Sequence, residues 1–456
     1  MKIKSLLNNL FLLATNTYVL ASTLPTNKGE HIFHSKLYPN HTVTFKTPSF
    51  CDPTVKQYSG YIDVSENDHY FFWFFESRKQ PKKDPLTLWL NGGPGASSMI
   101  GLWMESGPCR VNEDGSQAIY NEKGSWNKVS NMLFIDQPSK VGFSYGDSQI
   151  SSTKDAAKYI HVFLQIFYEA FPQYQFNAFH LYGDSFAGHY VPSFADYILK
   201  QNKLHHKNKK YIPVHLKSIG IGNGNINPII QSQYYEKMAC NSSYGPLLPK
   251  EVCKVMRTNM PHCIRLLEKC NKTNKNQDCA DAFAYCYFSV ESPFTFSGRS
   301  SSDIRTNKEI PSIYINFLNK TSTMEAIGAK QAFSEASDVV SLNFMYTGDR
   351  SRSFAPEVAN LLNNNVKVLI YAGDTDYICN WLGNHAWVNQ LEFKNYQVFQ
   401  KDKLKPWYIG NKEVGQIQQG ANLTFLRIYE AGHLVPANQP EVALKMFNDQ
   451  IRFVLK

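Results

Sequence analysis

Four short segments carry residues whose types and spacing suit acyl-transfer chemistry. Gly183-Asp184-Ser185-Phe186-Ala187-Gly188 puts a serine between small residues. It follows the strand-like FHLY and opens the helical pattern HYVPSFADYIL, as a nucleophile elbow does. Asn91-Gly92-Gly93-Pro94-Gly95 follows LTLWL. Glycines there let backbone N–H groups turn toward a reacting oxygen, because no side chain stands in the way. Gly93 and Phe186 are therefore the expected oxyanion donors, one from the early loop and one from the residue after the serine. Asp374 and Asp376 follow VKVLIYAG, and His433 follows LRIYEAG. Serine, acid and base then stand in the chain order that this type of site uses. Phosphate binding is a poor alternative, since neither GxxxxGK[ST] nor GxGxxG is present.

These segments need a scaffold that brings their ends together. The runs LTLWLNGG, NMLFIDQP, FHLYGDS, LKSIGIGNG, VKVLIYAGD and LTFLRIYEAG are short, apolar on both faces, and end in Gly, Asn or Asp. That pattern fits buried central strands. Helical patterns at 155–171, 185–200 and 441–455 alternate with them. The expectation is an α/β fold with a mostly parallel sheet and helices on both faces. YSGYIDV and YFFWFFES read as a hairpin at its start. Residues 22–50 are polar without clear period and are expected to be a short pro-segment or arm. The core is expected over 51–226 and 348–456. Residues 227–347 hold cysteines, polar runs and helical fragments, and are expected to be an insertion subdomain.

Length and composition agree with a folded enzyme. The chain has 456 residues, 43% hydrophobic and 19% charged, which excludes a disordered or fibrous protein. The net charge is +9, with scattered basic residues and no reading motif for nucleic acid. The densest basic run, Lys203–Lys210, is expected to be a solvated loop. Residues 1–21 combine Lys2 and Lys4 with an apolar stretch and a small-residue site before Ser22, as a signal peptide does. No later run reaches the length of a membrane span. Five sequons, at Asn40, Asn241, Asn271, Asn319 and Asn422, fit the secretory pathway. Six of nine cysteines crowd into residues 240–286, as a disulfide framework would. Their spacings lack a CxxC pair, which argues against zinc. No metal or organic cofactor is expected.

Taken together, LWLNGGPG, IDQPSKVGFSYG, GDSFAGHYVP, IGNGNINP, YAGDTDYICNWLGN and AGHLVP resemble the serine carboxypeptidase family, in the family's order. FCDPTVKQYSGYI and MESGPCRV are similar to secreted fungal members. The resemblance implies an α/β-hydrolase fold and a triad of Ser185, Asp376 and His433. It implies that Asn91, Gly92, Glu105 and Asp184, with Trp89 in support, bind the substrate's terminal carboxylate. Peptide and protein C-termini would be the substrates, favoured in acid. Secretion is expected, with vacuole or lysosome as the alternative. The pairs Cys240–Cys253, Cys263–Cys286 and Cys270–Cys279 are implied as well. Cys51–Cys109 is the pair that remains, and Cys379 would be a free thiol near the site, open to mercurials. Three positions depart from the family pattern. Asp184 stands where Glu is usual, Ala96 where many members have Cys, and Ala336 near where its partner would fall. An acyltransferase on the same scaffold and a non-catalytic binding or protective protein are the alternatives. The sequence leaves the oligomeric state open.

Overall fold

The computed structural model describes Leu24–Pro25, residues 29–208 and residues 211–456. The signal-peptide segment lies outside the described residues. One fourteen-stranded sheet organises the chain. Its principal strands are β1 (His31–His34), β2 (Thr42–Lys46), β3 (Gln57–Ser65), β4 (Asp68–Phe75), β5 (Leu86–Leu90) and β6 (Asn131–Ile135). Then follow β7 (Phe179–Asp184), β8 (Leu216–Gly222), β9 (Lys367–Gly373), β10 (Lys405–Ile409), β11 (Lys412–Gly420) and β12 (Leu423–Ile428). In space they run β1-β2-β3-β4-β6-β5-β7-β8-β9-β12-β11-β10. The neighbours from β6 through β12 are all parallel, and antiparallel wings flank them.

The six parallel strands are the six apolar runs of the sequence. Their residues alternate between two cores. Leu86, Leu88, Leu90, Leu133 and Ile135 face one. Trp89, Met132 and Phe134 face the other. Helices α1 (Thr153–Ala170), α2 (Ala187–Asn208) and α3 (Ala355–Asn363) cover the first face through Ile160, Phe163, Phe194, Val358 and Leu361. Helix α4 (Pro440–Ile451) covers the second through Met446 and Phe447. A sheet covered on both sides needs strands apolar on both faces, which is why the runs show no alternation. Helix α1 starts at a reciprocal cap: Ser152 Oγ accepts the Asp155 N–H and donates to the Asp155 carboxylate at 2.7 Å. This is the α/β-hydrolase arrangement.

Two expectations differ from the structure, and one strand pair has no counterpart in the sequence reading. Residues 31–46 of the segment expected as an arm form β1 and β2, which pair onto the β3–β4 hairpin. Only Phe33, Val43 and Phe45 point inward, and Phe45 packs on Phe171 with ring centres 5.1 Å apart. A few apolar residues in a polar stretch gave little period to read. The antiparallel pair β10–β11 matches none of the apolar runs: β10 is largely exposed at the sheet edge, and β11 carries only Val414 and Ile417 as buried apolar side chains. The run Lys203–Lys210, expected as a loop, continues α2 as far as Asn208.

Between β8 and β9 the described chain adds no strand to the sheet. Helices dominate there, including Lys250–Thr273 and Asn276–Cys286. Disulfides Cys263–Cys286 and Cys270–Cys279 join these two, and Cys240–Cys253 ties the first to the preceding helix. Cys51–Cys109 links the entry of the β3 hairpin to the segment after Glu105. Asn271, one of the sequons, donates Nδ2 to Leu267 O and Ser351 O at 2.8 and 2.9 Å, and a glycan on that nitrogen would leave it one hydrogen for the two acceptors. No helix among the described residues is long and apolar enough to cross a membrane.

Candidate active site

Register brings the chemical residues to one edge. Leu90 pairs with Gly183, so Asn91 and Asp184 emerge side by side. Asp184 pairs with Gly222, so Ser185 and Asn223 emerge together. Gly373 pairs with Ile428, so the loops of Asp376 and His433 leave adjacent strands. All lie beyond the carboxyl ends of parallel strands, where open α/β sheets bind ligands.

Ser185 holds φ +60°, the left-handed region, directly after β7. Such a turn is strained for a residue with a side chain and needs support. Its N–H donates to Gly222 O and Asn223 O, both at 3.1 Å, and its carbonyl accepts the Asn225 N–H at 3.0 Å. Gly183 and Gly188 allow close approach of neighbouring backbone, since an added Cβ would lie 2.3 Å from Leu90 O and 2.5 Å from Asn225 O. The NGG loop packs onto this elbow. A Cβ on Gly92 would stand 2.2 Å from the Phe186 nitrogen. Gly93 adopts φ +101°, and its N–H and that of Phe186 donate to no group among the described residues. Two unused amide donors thus flank the serine.

Asp376 and His433 are joined directly, Nδ1 to Oδ2, at 2.9 Å. Asp376 is fully buried and also accepts from Ile378 N, Cys379 N and Asn223 Nδ2. Asp374, two residues earlier, instead accepts from Arg427 at 3.1 Å and from the Glu430 N–H at 2.9 Å. Burial pulls the His433 imidazole down, but the Asp376 carboxylate offsets this and leaves its pKa above the ordinary value. Ser185 connects to the pair through Asn223, and no hydrogen bond joins its Oγ to His433 among the described residues. Catalytic contacts in unliganded sites are often long and tighten with substrate.

A second cluster sits beside the serine. Asn91 Nδ2 donates to Glu105 Oε1 at 2.8 Å and to Asp184 Oδ1 at 2.9 Å. Its own Oδ1 accepts from Trp89 Nε1 at 3.0 Å and Gly101 N at 2.8 Å, which fixes the amide's orientation. Asp184 closes the network despite its shorter side chain. Burial pushes Glu105 up to about 7, against the lowering effect of the Asn91 bond. Burial, then the charge of Glu105, drives Asp184 well above the usual carboxylate range. Glu105 Oε2 and Asp184 Oδ2 are buried without partners among the described residues. A protonated carboxyl here can donate to an incoming anion.

Cys379 is unpaired but buried. Burial, then the Asp376 charge, raises its thiol well above the ordinary value. Cys379 thus lies beside the Asp376 loop with little solvent exposure.

Two supporting residues escaped the sequence reading. Asn223 holds the elbow to Asp376. Asp136, fully buried, accepts from Ser97 Oγ at 2.5 Å, Ser98 N at 3.1 Å and Phe143 N at 2.9 Å, and so shapes the chain after NGGPG. Both follow central strands, and that position was the only signal available.

A family model described as serine carboxypeptidase matches residues 48–452. A carboxypeptidase Y of Schizosaccharomyces pombe is 41% identical over 444 residues, covering 93% of this chain and 44% of that protein. This chain therefore spans under half the length of that relative. A vacuolar serine-type carboxypeptidase of Saccharomyces cerevisiae is 44% identical over 412 residues, covering 87% of this chain and 79% of its own. Among solved structures, a prohormone-processing carboxypeptidase of Saccharomyces cerevisiae superposes with a TM-score of 0.74 at 25% identity, covering 89% of this chain and 94% of that one.

Proposed function

The chain belongs to the serine carboxypeptidase family, and from that premise we propose that it releases single C-terminal amino acids from peptides and proteins through an acyl-enzyme. One observation carries the reading: a buried pair of carboxyls bridged by Asn91, each with one oxygen left without a partner among the described residues, lies beside a serine elbow. An endopeptidase or esterase has no need of such a pair.

Ser185 Oγ attacks the last peptide carbonyl. His433 takes the hydroxyl proton through Nε2 and returns it to the departing amine. Asp376, on the opposite ring nitrogen, holds the tautomer and stabilises the imidazolium. The oxyanion forms against the N–H groups of Gly93 and Phe186. Water then repeats the sequence on the acyl-enzyme. The terminal carboxylate rests on Asn91 and the Gly92 backbone, and on Glu105 and Asp184 while the two share a proton. That requirement favours binding in acid.

Four disulfides suit an oxidising compartment. We assign the chain to the secretory pathway, with the medium or the vacuole as its destination. Residues 51–226 and 348–456 serve as the catalytic core and 227–347 as its cap.

A peptide time course followed by mass spectrometry tests the activity, with wild type and Ser185→Ala across pH 4 to 8. Stepwise loss of one C-terminal residue at a time, absent in the variant, is expected. Internal cleavage, or activity that survives the substitution, overturns the reading.

A further inference from the structure

His189 lies four residues after Ser185, in the first turn of α2, and takes no part in the chemistry proposed above. It is fully buried. Its Nδ1 stands 2.6 Å from Asn225 O. A carbonyl oxygen only accepts, so Nδ1 carries the proton. The N–H of the same Asn225 donates to Ser185 O at 3.0 Å. A chain of two hydrogen bonds therefore runs from the imidazole, through one loop residue, to the carbonyl of the nucleophile. Gly188 makes room for it, because a Cβ there would stand 2.5 Å from Asn225 O.

The ring is also clamped. Phe186 stacks on it with centres 4.4 Å apart and planes 19° apart, and Phe354 packs against it at 4.7 Å. The Phe354 N–H donates to Ile226 O at 2.8 Å, which ties this contact to the loop that holds the hydrogen bond. The His189 N–H donates to Phe186 O at 2.9 Å. One side chain thus supports both residues of the elbow, Ser185 through Asn225 and Phe186 directly. Its second nitrogen, Nε2, is buried with no hydrogen-bond partner among the described residues. Burial holds the imidazole down to about 3, against the Asn225 bond and with some help from the Arg350 charge. It stays neutral in mild acid, where His433 takes up protons.

We infer that His189 is a positioning residue: through Asn225 O and the Phe186 ring it fixes the turn that aims Ser185 Oγ and the Phe186 N–H. The inference rests on the carboxypeptidase reading. A serine at φ +60° is strained and keeps that conformation only while its surroundings enforce it. A loosened turn displaces the nucleophile and an oxyanion donor together. The loss then falls on the chemical step and not on substrate binding.

Two substitutions in the full secreted chain separate the hydrogen bond from the stack. His189→Phe keeps an aromatic ring and leaves Asn225 O without its donor. His189→Asn keeps a donor near the position of Nδ1 and gives up the ring. Titration with a fluorophosphonate counts the reactive serines, and kcat per titrated serine is then measured on a blocked dipeptide from pH 4 to 8. In His189→Phe that kcat is expected to fall roughly tenfold to a hundredfold with KM changed by less than about twofold. The rate constant of fluorophosphonate labelling should fall in parallel, and the ratio to wild type should be the same at every pH. His189→Asn should recover most of the loss. His189→Leu takes the place of His189→Phe if the latter is not secreted. A purely structural role would lower the number of titratable serines and leave the turnover of each unchanged, which would overturn the inference. An Asn variant as slow as the Phe variant would overturn it too. If the wild-type chain labels but cleaves no blocked dipeptide, the carboxypeptidase reading fails, and the labelling rates alone still decide the role of His189.

Discussion

Asn223 donates Nδ2 to Asp376 Oδ2 at 2.7 Å, and its own carbonyl accepts the Ser185 N–H at 3.1 Å. One residue thus sets the distance between the nucleophile's turn and the acid that orients the base. Asn223→Ala removes a hydrogen bond to a buried charge. Such bonds contribute about 1.5–3 kcal/mol, so kcat is expected to fall roughly tenfold to a hundredfold. KM should change little, because Asn223 touches no group of the carboxylate site. Steady-state kinetics separate the two. An unchanged kcat would mean that the Ile378 and Cys379 N–H groups suffice to hold Asp376.

The two titrating clusters should divide the pH profile. Glu105 is raised by burial to about 7, and burial with the charge of Glu105 drives Asp184 well above the usual carboxylate range. Below that range the pair keeps a proton to donate to the substrate carboxylate. As pH rises through about 7 that proton is lost and KM should climb. His433 works in the opposite sense. Its pKa is raised, so the imidazolium persists into mild acid and kcat should fall as pH drops through that pKa. Glu105→Gln, which cannot ionise, should flatten the KM limb and leave the kcat limb in place. Peptide amides, lacking the terminal carboxylate, should show no KM limb.

Ala96 and Ala336 pair across an isolated antiparallel bridge. The flanking bonds, Ser97 N–H to Glu335 O and Ser337 N–H to Gly95 O, both at 2.9 Å, make them a non-hydrogen-bonded pair. The Cα atoms of such pairs stand about 4.5 Å apart, within the range a disulfide spans. Ala96→Cys with Ala336→Cys should therefore oxidise spontaneously in the secretory pathway. The bond should add about 2–4 kcal/mol of stability, read as a rise in melting temperature reversed by reductant. A pair of free thiols in the folded double variant would refute the geometry.

Cys379 should resist alkylation. The native chain is expected to react with iodoacetamide far more slowly than the chain unfolded in guanidinium, which should take up one equivalent without reduction. Rapid native labelling would contradict its burial and its raised pKa.

The carboxylate site should depend on close backbone contact. Gly92→Ala drives a methyl into the Phe186 nitrogen, where neither loop can retreat without moving an oxyanion donor. Loss of activity is expected with retained far-ultraviolet circular dichroism. Near wild-type turnover would show that the two loops separate freely.

The chemistry was legible because it is local. The glycines of the elbow, the apolar runs ahead of each functional loop and the order of serine, acid and base all lie within short windows. Burial of a central strand is likewise written in its own composition, so β5, β6, β7, β8, β9 and β12 could be read directly. The edges were harder. In β1, β2, β10 and β11 the apolar residues are few, and pairing is decided by what the neighbouring hairpin leaves open.

Convergence is a different kind of information. Asn91, Glu105 and Asp184 are far apart in the chain, and only strand register and a six-residue helix make them one network. The sequence by itself determined which reactive groups exist and on which kind of turn each sits, because those follow from local backbone preference and hydrophobic period. Tertiary structure alone decided how Asp376 is held against His433, how deeply Glu105 and Asp184 are buried and that Cys379 is shielded. Hydrogen-bond partners and desolvation come from groups distant in sequence, and no local window contains them.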